Sequence, residues 1–148
     1  MRCNLSPEDL GDLLTQARVA VLATRRPDGS TLLSPVWHEW EAGGFIFTTF
    51  IGDVKLRHID RDPRVSILVA EDGPPYRGIE VRGRAVPADA DGETTLRRLA
   101  EHYLAGRDVD GVMSNIRVWM GDIGHTGIVA LQVTPGVLRA WDYSDEVW

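Results

Sequence analysis

The residues best suited to chemistry lie around Lys55, the only lysine in a chain that has 16 lysine and arginine residues in all. Thr48 and Thr49 end an apolar run shortly before it, and a Gly-Asp break separates them from the lysine. Hydroxyl groups at a strand end, a lysine and the start of a helix can together hold a phosphate, because the unpaired N–H groups of the first helical turn attract an anion. The alternative is a solvated basic helix face, since Lys55 and Arg57 fall on the same short segment.

Length and composition indicate one ordinary globular domain, spanning residues 1–148. The hydrophobic content of 43% is enough to build a single core. The net charge of −6 and the pI near 5.1 exclude a general nucleic-acid binder, which needs a basic face. No apolar run approaches the roughly 20 residues of a membrane span.

The cysteine and histidine content limits the classes of site. A single cysteine, Cys3, cannot form an internal disulfide, and the first ten residues lack the apolar segment of a secretory signal, so we expect a cytoplasmic protein. None of the four histidines, at positions 38, 58, 102 and 125, has metal-ligand spacing beside a carboxylate or a thiol. We therefore predict no metal site. Neither a catalytic triad nor a carboxylate pair can be recognised, so the catalytic residues are unknown.

The first half of the chain has the pattern of a helix followed by an antiparallel meander. Ser6-Pro7 followed by acidic residues predicts a helix within residues 1–17. Apolar runs of strand length predict three strands, at residues 18–24, 31–39 and 45–49. A Pro-Asp-Gly turn and a Gly-Gly turn join them. The basic segment around Lys55 then predicts a short helix that ends at Asp62-Pro63.

In the second half of the chain, alternation predicts strands and a period of 3.6 predicts a helix. The strands lie at residues 65–70, 79–86, 128–133 and 137–141, and the helix lies at residues 92–105. Thr134-Pro135-Gly136 makes the last two strands a closing hairpin. Residues 108–126 show no clear period and receive no assignment.

These elements predict a mainly β fold. Six or seven short strands with hairpin connections, interrupted by two or three helices, are typical of a small antiparallel barrel with flanking helices. Barrel closure also removes exposed sheet edges. We place the N-terminal helix at residues 1–17, the barrel with its helices at 18–142 and a tail at 143–148.

Three stretches give the chain a family resemblance over about residues 10–141. They are VAVLATRRPDGSTLLSPVW, FIFTTFIGDVKLRHIDRDPRVSILV and VRGRA, of which the middle one is the most specific. With them the chain resembles the split-barrel flavin and deazaflavin oxidoreductases of the pyridoxamine-phosphate-oxidase-like superfamily. The resemblance implies an FMN-binding-type split barrel that forms a homodimer, with two cofactor sites at the subunit interface.

The resemblance also implies roles for particular residues. Thr49 and Lys55, with Thr48 beside them, are expected at the cofactor phosphate. The strand carrying Pro35, Val36 and Trp37 is expected along the isoalloxazine-type ring. Trp37 is the first aromatic candidate for contact with that ring, and Tyr76 is the second.

Two departures from the family pattern bear on the cofactor and the substrate. Phosphate-oxidising members carry Ser-Arg immediately before the lysine, where this chain has Asp53-Val54. They also carry a lysine for the substrate phosphate at the position of His38. Oxidation of pyridoxamine phosphate is therefore not expected. The branch that uses the deazaflavin coenzyme F-420 is more similar, in its Pro-Val-Trp, its threonine-to-lysine spacing and a following Asp-Pro-Arg.

A deazaflavin coenzyme has a phosphate and an acidic tail, so its site needs positive charge beyond one lysine. Arg57, Arg61 and Arg64 lie on the segment that could provide it, although Asp60 and Asp62 can neutralise them locally.

The expected function is hydride transfer between coenzyme F-420 and a small unsaturated or heteroaromatic acceptor. In such chemistry the cofactor supplies the reaction, and the protein supplies orientation and exclusion of water. Two alternatives stay open: an FMN-dependent oxidoreductase of the same fold, and a cofactor-carrying or haem-binding split barrel without turnover. The residues do not identify the substrate.

Overall fold

A computed structural model describes residues 1–147, and the chain is mainly β with three α-helices in that range. The strands are β1 (Arg2–Cys3), β2 (Ala20–Arg25), β3 (Thr31–Val36), β4 (Glu39–Glu41), β5 (Gly44–Phe50), β6 (Arg64–Ala70), β7 (Gly78–Pro87) and β8 (Ile128–Asp142). The helices are α1 (Val54–Arg61), α2 (Gly92–Tyr103) and α3 (Val109–Asp122). Trp148, the last residue of the predicted tail, lies outside the described residues.

All the strands belong to one antiparallel sheet, and that sheet must curl. Its order is β3-β2-β6-β7-β8-β5-β4, with β1 added beside β8. The two outermost strands of this order, β3 and β4, are consecutive in the chain and are joined only by Trp37 and His38. Three Cα steps separate the end of β3 from the start of β4, about 11 Å at most, so the opposite edges of the sheet have to approach each other. The predicted split barrel is confirmed, with eight strands instead of six or seven, and its gap lies between β3 and β4.

The core fills the inside of this curled sheet. Successive side chains on a strand point to opposite faces, and β2 shows the pattern clearly: Ala20, Leu22 and Thr24 are buried, whereas Val21 is exposed. Phe45 and Phe47 on β5 are fully buried on the same side. Burying such side chains contributes roughly 1.5–3 kcal/mol each, which makes this apolar interior the main stabilising term.

The N-terminal helix predicted over residues 1–17 is wrong in length. The segment forms only a 3-10 turn, Pro7–Leu10, followed by further turns. The predicted start is present, since the Asp9 carboxylate accepts a hydrogen bond from the Ser6 backbone N–H at 2.8 Å. Gly11 then has φ of +61°, and its N–H bonds to the Glu8 carbonyl, so the helix ends after one turn.

The predicted closing hairpin of strands 128–133 and 137–141 is also wrong. Residues 128–142 form one long strand, β8, that pairs with β7 along its length and with β5 over its first half. The Thr134-Pro135-Gly136 segment is a bulge within this strand, opposite Arg82 and Gly83. A Cβ atom at residue 83 would lie 2.2 Å from the Thr134 carbonyl oxygen, so the close approach of the two strands requires glycine.

Residues 108–126, left without assignment, contain helix α3. Asp108 caps it by accepting a hydrogen bond from the Gly111 N–H at 3.0 Å. The helix carries glycines and β-branched residues, which weaken a helical pattern in the sequence. Only Met113 and Met120 of α3 are buried, so its apolar face is narrow.

His38 lies at the gap between the two sheet edges and is buried, with 1% of its surface exposed. Its ring is edge-on to Phe45, with centroids 5.1 Å apart. Tyr103 of α2 ties the segment before β2 to the connection after β3, because its hydroxyl accepts from the His38 backbone N–H at 3.1 Å and donates to the Arg18 carbonyl at 2.5 Å. Neither ring nitrogen of His38 makes a hydrogen bond of good geometry to the described residues.

We expect the protein to lose stability as the pH falls, because of His38. Burial lowers the pKa of His38 from its ordinary 6.5 to about 4, against a smaller opposing effect of the Arg18 carbonyl. Between these values the unfolded chain binds a proton that the folded chain does not, so the free energy of unfolding falls as the pH drops from 6.5 towards 4. The loss attributable to this group is on the order of 2–3 kcal/mol.

Urea unfolding of the parent and of His38→Gln at pH 7 and at pH 4.5 isolates the contribution of His38 to the pH dependence of stability. The difference in unfolding free energy between the two pH values should be smaller in His38→Gln, whatever its absolute stability. An equal pH dependence in the two proteins would contradict the assignment.

Candidate functional site

A cavity of about 340 Å³ lies where β3, β5 and α1 meet α2 and α3. Its volume is in the range of small-molecule sites. The lining residues are Val19, Pro35, Val36, Trp37, Thr48, Thr49, Phe50, Lys55, Leu96 and Ile116. Of the residues predicted for cofactor binding, the structure therefore brings together Pro35, Val36, Trp37, Thr48, Thr49 and Lys55.

Local structure explains why the threonines and the lysine meet. Strand β5 is held in register by β8, with Thr48 opposite Ala130 and Thr49 opposite Val129. The chain turns directly after β5, where Gly52 has φ of +106°, a conformation that favours glycine. Helix α1 begins two residues later, so Lys55 lies in its first turn beside the end of β5.

Asp53 occupies the positive end of α1. Its carboxylate accepts from the Lys55 backbone N–H at 2.9 Å, which makes it the N-cap, and it also pairs with the Lys55 ammonium. Burial would raise the pKa of Asp53, but the hydrogen bonds from the Lys55 side chain and backbone outweigh it and hold the pKa below its usual range. Sequence reasoning missed this pair, which makes the site nearly neutral rather than cationic.

The hydroxyl group of Thr49 makes no hydrogen bond to the described residues. The residue is 1% exposed and lines the cavity. A buried hydroxyl without a partner costs about 1–3 kcal/mol. The hydroxyl oxygen has almost no accessible surface, so a polar ligand in the cavity would bond to it only after a small shift of the cavity wall.

Trp37 has one face covered by protein. Its ring stacks on Tyr103 at a centroid distance of 5.2 Å and an interplanar angle of 17°. The residue is half-buried and contributes to the cavity wall. Because Tyr103 also bonds to the backbone of Arg18 and of His38, the residue that stacks on Trp37 is itself held at the end of the β2–β3 pair.

The structure does not bring Arg57 or Tyr76 into the cavity lining. Arg57 donates to the Gly52 carbonyl at 2.7 Å, so it supports the turn before α1. Tyr76 lies in the loop between β6 and β7. Of the other arginines considered for the acidic tail, Arg61 donates to the Arg25 carbonyl and Arg64 pairs with Asp62 at 2.8 Å.

Sequence reasoning missed four lining residues: Val19, Phe50, Leu96 and Ile116. Leu96 has the spacing of a helix core residue, and Ile116 lies in the segment that received no assignment. Phe50 follows the threonines, and its ring is edge-on to Trp119 at 5.5 Å. Only the packing of α2 and α3 against the barrel makes these residues part of the cavity.

The histidines lie outside the lining of this cavity. His58 is buried, and its Nδ1 lies 3.0 Å from the hydroxyl of Thr24, inside the barrel. Across residues 1–147, no three His, Cys, Asp or Glu side chains are grouped so that they could hold a metal ion.

The family of the chain follows from comparison with known sequences. A family model described as pyridoxamine 5'-phosphate oxidase matches residues 6–126. The chain belongs to this family. No curated protein sequence matches it.

Solved structures of pyridoxamine 5'-phosphate oxidase-like proteins share the fold. The conserved hypothetical protein Rv2991 of Mycobacterium tuberculosis is 26% identical, with a TM-score of 0.69, and the alignment covers 94% of this chain and 86% of that one. An F-420 reductase is 28% identical, with a TM-score of 0.67, over 90% of this chain and 98% of that one. The haem storage protein HutZ of Vibrio cholerae, at 14% identity and a TM-score of 0.64, covers 92% of this chain and 94% of its own, which shows a shared fold alone.

Among the described residues of this family member, no helix has both the length and the apolar character needed to cross a membrane.

Replacing Thr49 with valine should not destabilise the protein when no ligand is bound. Valine has nearly the shape of threonine and removes a hydroxyl that has no partner, so we expect the unfolding free energy to stay equal or to rise by up to about 1 kcal/mol. Urea denaturation at pH 7 measures it.

Thr24→Val is the matched control, since Thr24 is equally buried but its hydroxyl bonds to His58. It should cost about 1–2 kcal/mol because a buried partner is left unsatisfied. If Thr49→Val proved as destabilising as Thr24→Val, the hydroxyl of Thr49 would have a structural role.

Proposed function

We propose that the protein is an oxidoreductase that transfers hydride between coenzyme F-420 and a small unsaturated or heteroaromatic acceptor. The observation that carries this proposal is the single cavity in which Trp37, Thr49 and Lys55 converge, with the Thr49 hydroxyl unsatisfied. Family membership supports the reaction class, and the 28% identity to an F-420 reductase over 90% of the chain supports the deazaflavin. A cytoplasmic location, inferred from the lone Cys3, stays a prediction.

The bound deazaflavin would supply the hydride chemistry through its ring. Pro35, Val36 and Trp37 would lie along that ring and fix its orientation, since Trp37 is itself held by Tyr103. Thr49 would give a hydrogen bond to the phosphate-bearing part, and Lys55 would provide positive charge there.

The cavity is built for positioning rather than for acid–base chemistry. Lys55 is the only titratable side chain in its lining. Phe50, Leu96 and Ile116 form an apolar wall from three different elements, which would keep water from a bound ring. A site of this kind accelerates a reaction by orientation and exclusion of water, while the cofactor provides the electrons.

An FMN-dependent enzyme would use the same cavity. The charge of the protein near the cofactor phosphate distinguishes this alternative from the deazaflavin enzyme. Asp53 stands where phosphate-oxidising members have serine, and it neutralises Lys55. The haem-binding alternative fits less well, because the cavity lining contains no histidine, cysteine, methionine or tyrosine to bind the iron.

We propose a homodimer from the outer face of the barrel beside the cavity. Val19, Val21, Leu33 and Leu68 are exposed there, and Val21 is directly opposite Leu68 in the β2–β6 pairing. Leu33 is the most exposed of them, at 64%. A continuous apolar strip of this kind marks an interaction surface, and a second copy placed on it would also cover the open side of the cavity.

Leu33→Glu should abolish dimerisation without unfolding the protein. The position is exposed in the single chain, so a carboxylate is tolerated there but is costly in an apolar interface. Light scattering at micromolar concentration should give a dimer mass for the parent and a monomer mass for the variant. Val118→Glu, at a 66% exposed site on α3, is the control and should stay dimeric. A monomeric parent would overturn the proposal.

Lys55→Ala and Asp53→Asn should change cofactor affinity in opposite directions. Removing Lys55 deletes a charge-assisted hydrogen bond, worth on the order of 1.5–3 kcal/mol, so the dissociation constant for F-420 should rise tenfold to hundredfold. Asp53→Asn keeps the helix cap but frees the ammonium from its carboxylate, so affinity should increase by up to about tenfold.

Calorimetric titration of each variant with F-420 and with FMN measures both effects. The parent should bind F-420 more tightly than FMN, and urea unfolding should place the stability of Lys55→Ala within about 1 kcal/mol of the parent. Equal F-420 affinity in the parent and Lys55→Ala would reject the placement of the phosphate. Tighter FMN binding in the parent would favour the flavin enzyme.

A further inference from the structure

A second cavity, of about 440 Å³, is lined by four arginines and no acidic residue. Arg25, Arg64, Arg82 and Arg84 come from three strands of the sheet, β2, β6 and β7. None of them lines the cavity that contains Lys55. A cluster of like charges is unexpected in a chain whose net charge is −6.

The sheet register creates a depression between these arginines. Ala23 on β2 is directly opposite Ser66 on β6, and Ser66 is opposite Arg82 on β7. Alanine and serine are small, so this part of the row is low. Two residues along the strands, Arg64 is opposite Arg84, and long cationic side chains surround the depression.

Two of the four arginines form no ion pair within the described part of the chain, although the charge of Asp62 lies near enough to interact with that of Arg25. Arg64 pairs with Asp62 at 2.8 Å, and Arg82 lies 3.9 Å from a Glu80 oxygen, a long and weak contact. Among the described residues, neither Arg25 nor Arg84 forms an ion pair within 4.0 Å. Two guanidinium groups are therefore available to an anion from solution.

We propose that this cavity binds a small polyanion with two or more linked phosphoryl groups, such as a diphosphate. Guanidinium groups bind phosphate oxygens in a bidentate manner, and the hydroxyls of Ser66 and Thr31 in the lining add neutral donors. Arg25 and Arg84 stand on strands two positions apart, about 10 Å between backbones. An anion with two phosphoryl groups can accept from both guanidinium groups at once and also contact the hydroxyls between them.

The proposal does not depend on the cofactor assignment, because the two cavities share no lining residue. The probe is inorganic pyrophosphate, titrated calorimetrically at about 50 mM salt without divalent cations. The Lys55→Ala protein is used as the background, so that any phosphate binding at the cofactor cavity is removed.

We expect pyrophosphate to bind at least tenfold more tightly than orthophosphate. Arg25→Ala and Arg84→Ala should each weaken pyrophosphate binding about tenfold, and the double variant should abolish it. Arg107→Ala is the matched control, since Arg107 is also an exposed arginine but lies outside the cavity, and its affinity should equal that of the background. All these positions are exposed, so circular dichroism should show unchanged folding.

Absence of pyrophosphate binding in the background protein would overturn the proposal, as would a loss of affinity in Arg107→Ala equal to that in Arg84→Ala. Equal affinity for orthophosphate and pyrophosphate would also overturn it, because the cavity would then bind a single anion. Displacement of bound pyrophosphate by a duplex oligonucleotide at equal phosphate concentration would identify a nucleic-acid surface instead of a small-molecule site.

Discussion

The chain makes its two sheet edges meet through Trp37 and His38, and the geometry of the molecule depends on this short connection. An antiparallel sheet whose outermost strands are consecutive in the chain has to curl, and the curled sheet then encloses an apolar interior. Neighbouring residues in an extended segment point to opposite sides, so the connection sends Trp37 to the cavity and His38 into the interior. Tyr103 of α2 bonds to the backbone of Arg18, before β2, and of His38, after β3, and it stacks on Trp37. The residue that holds the end of the β2–β3 pair therefore also positions the aromatic wall of the cavity.

Asp53 gives the candidate site its electrostatic character. A helix N-terminus with a neighbouring lysine would attract any phosphate, but here one carboxylate caps the helix and neutralises the ammonium. An anion that binds here competes with this carboxylate for the Lys55 ammonium and for the N–H group that it caps. A ligand large enough to reach Trp37 would gain a contact that a free phosphate cannot make.

The parts of the fold that local chemistry decides could be predicted from the sequence. The short helix after Thr49, its end at Asp62-Pro63 and the strands around it all rest on turn residues and periodicity. At other places the pairing of strands decided the structure against the local pattern. Thr134-Pro135-Gly136 has the composition of a hairpin turn, yet β7 pairs with the residues before it and after it, so that they form one strand. In the site, the residues placed by β3, β5 and the start of α1 were predictable. Arg57 was not, because its side chain turns back to Gly52, and Ile116 depends on a helix whose pattern is weak.

Thr49 and His38 are buried polar residues whose side chains make no hydrogen bond of good geometry to the described residues, and they differ in what their burial costs. Each lowers the stability of the ligand-free protein, by an amount comparable to about a tenth or more of what holds a domain of this size together. His38 lies at the barrel gap and outside the cavity, so the stability that its burial costs is lost with or without a ligand. The size of this cost depends on pH. Thr49 lines a cavity, so a ligand whose binding brought a hydrogen-bonding atom to its hydroxyl would remove that cost, and the relief would add to the affinity of the ligand.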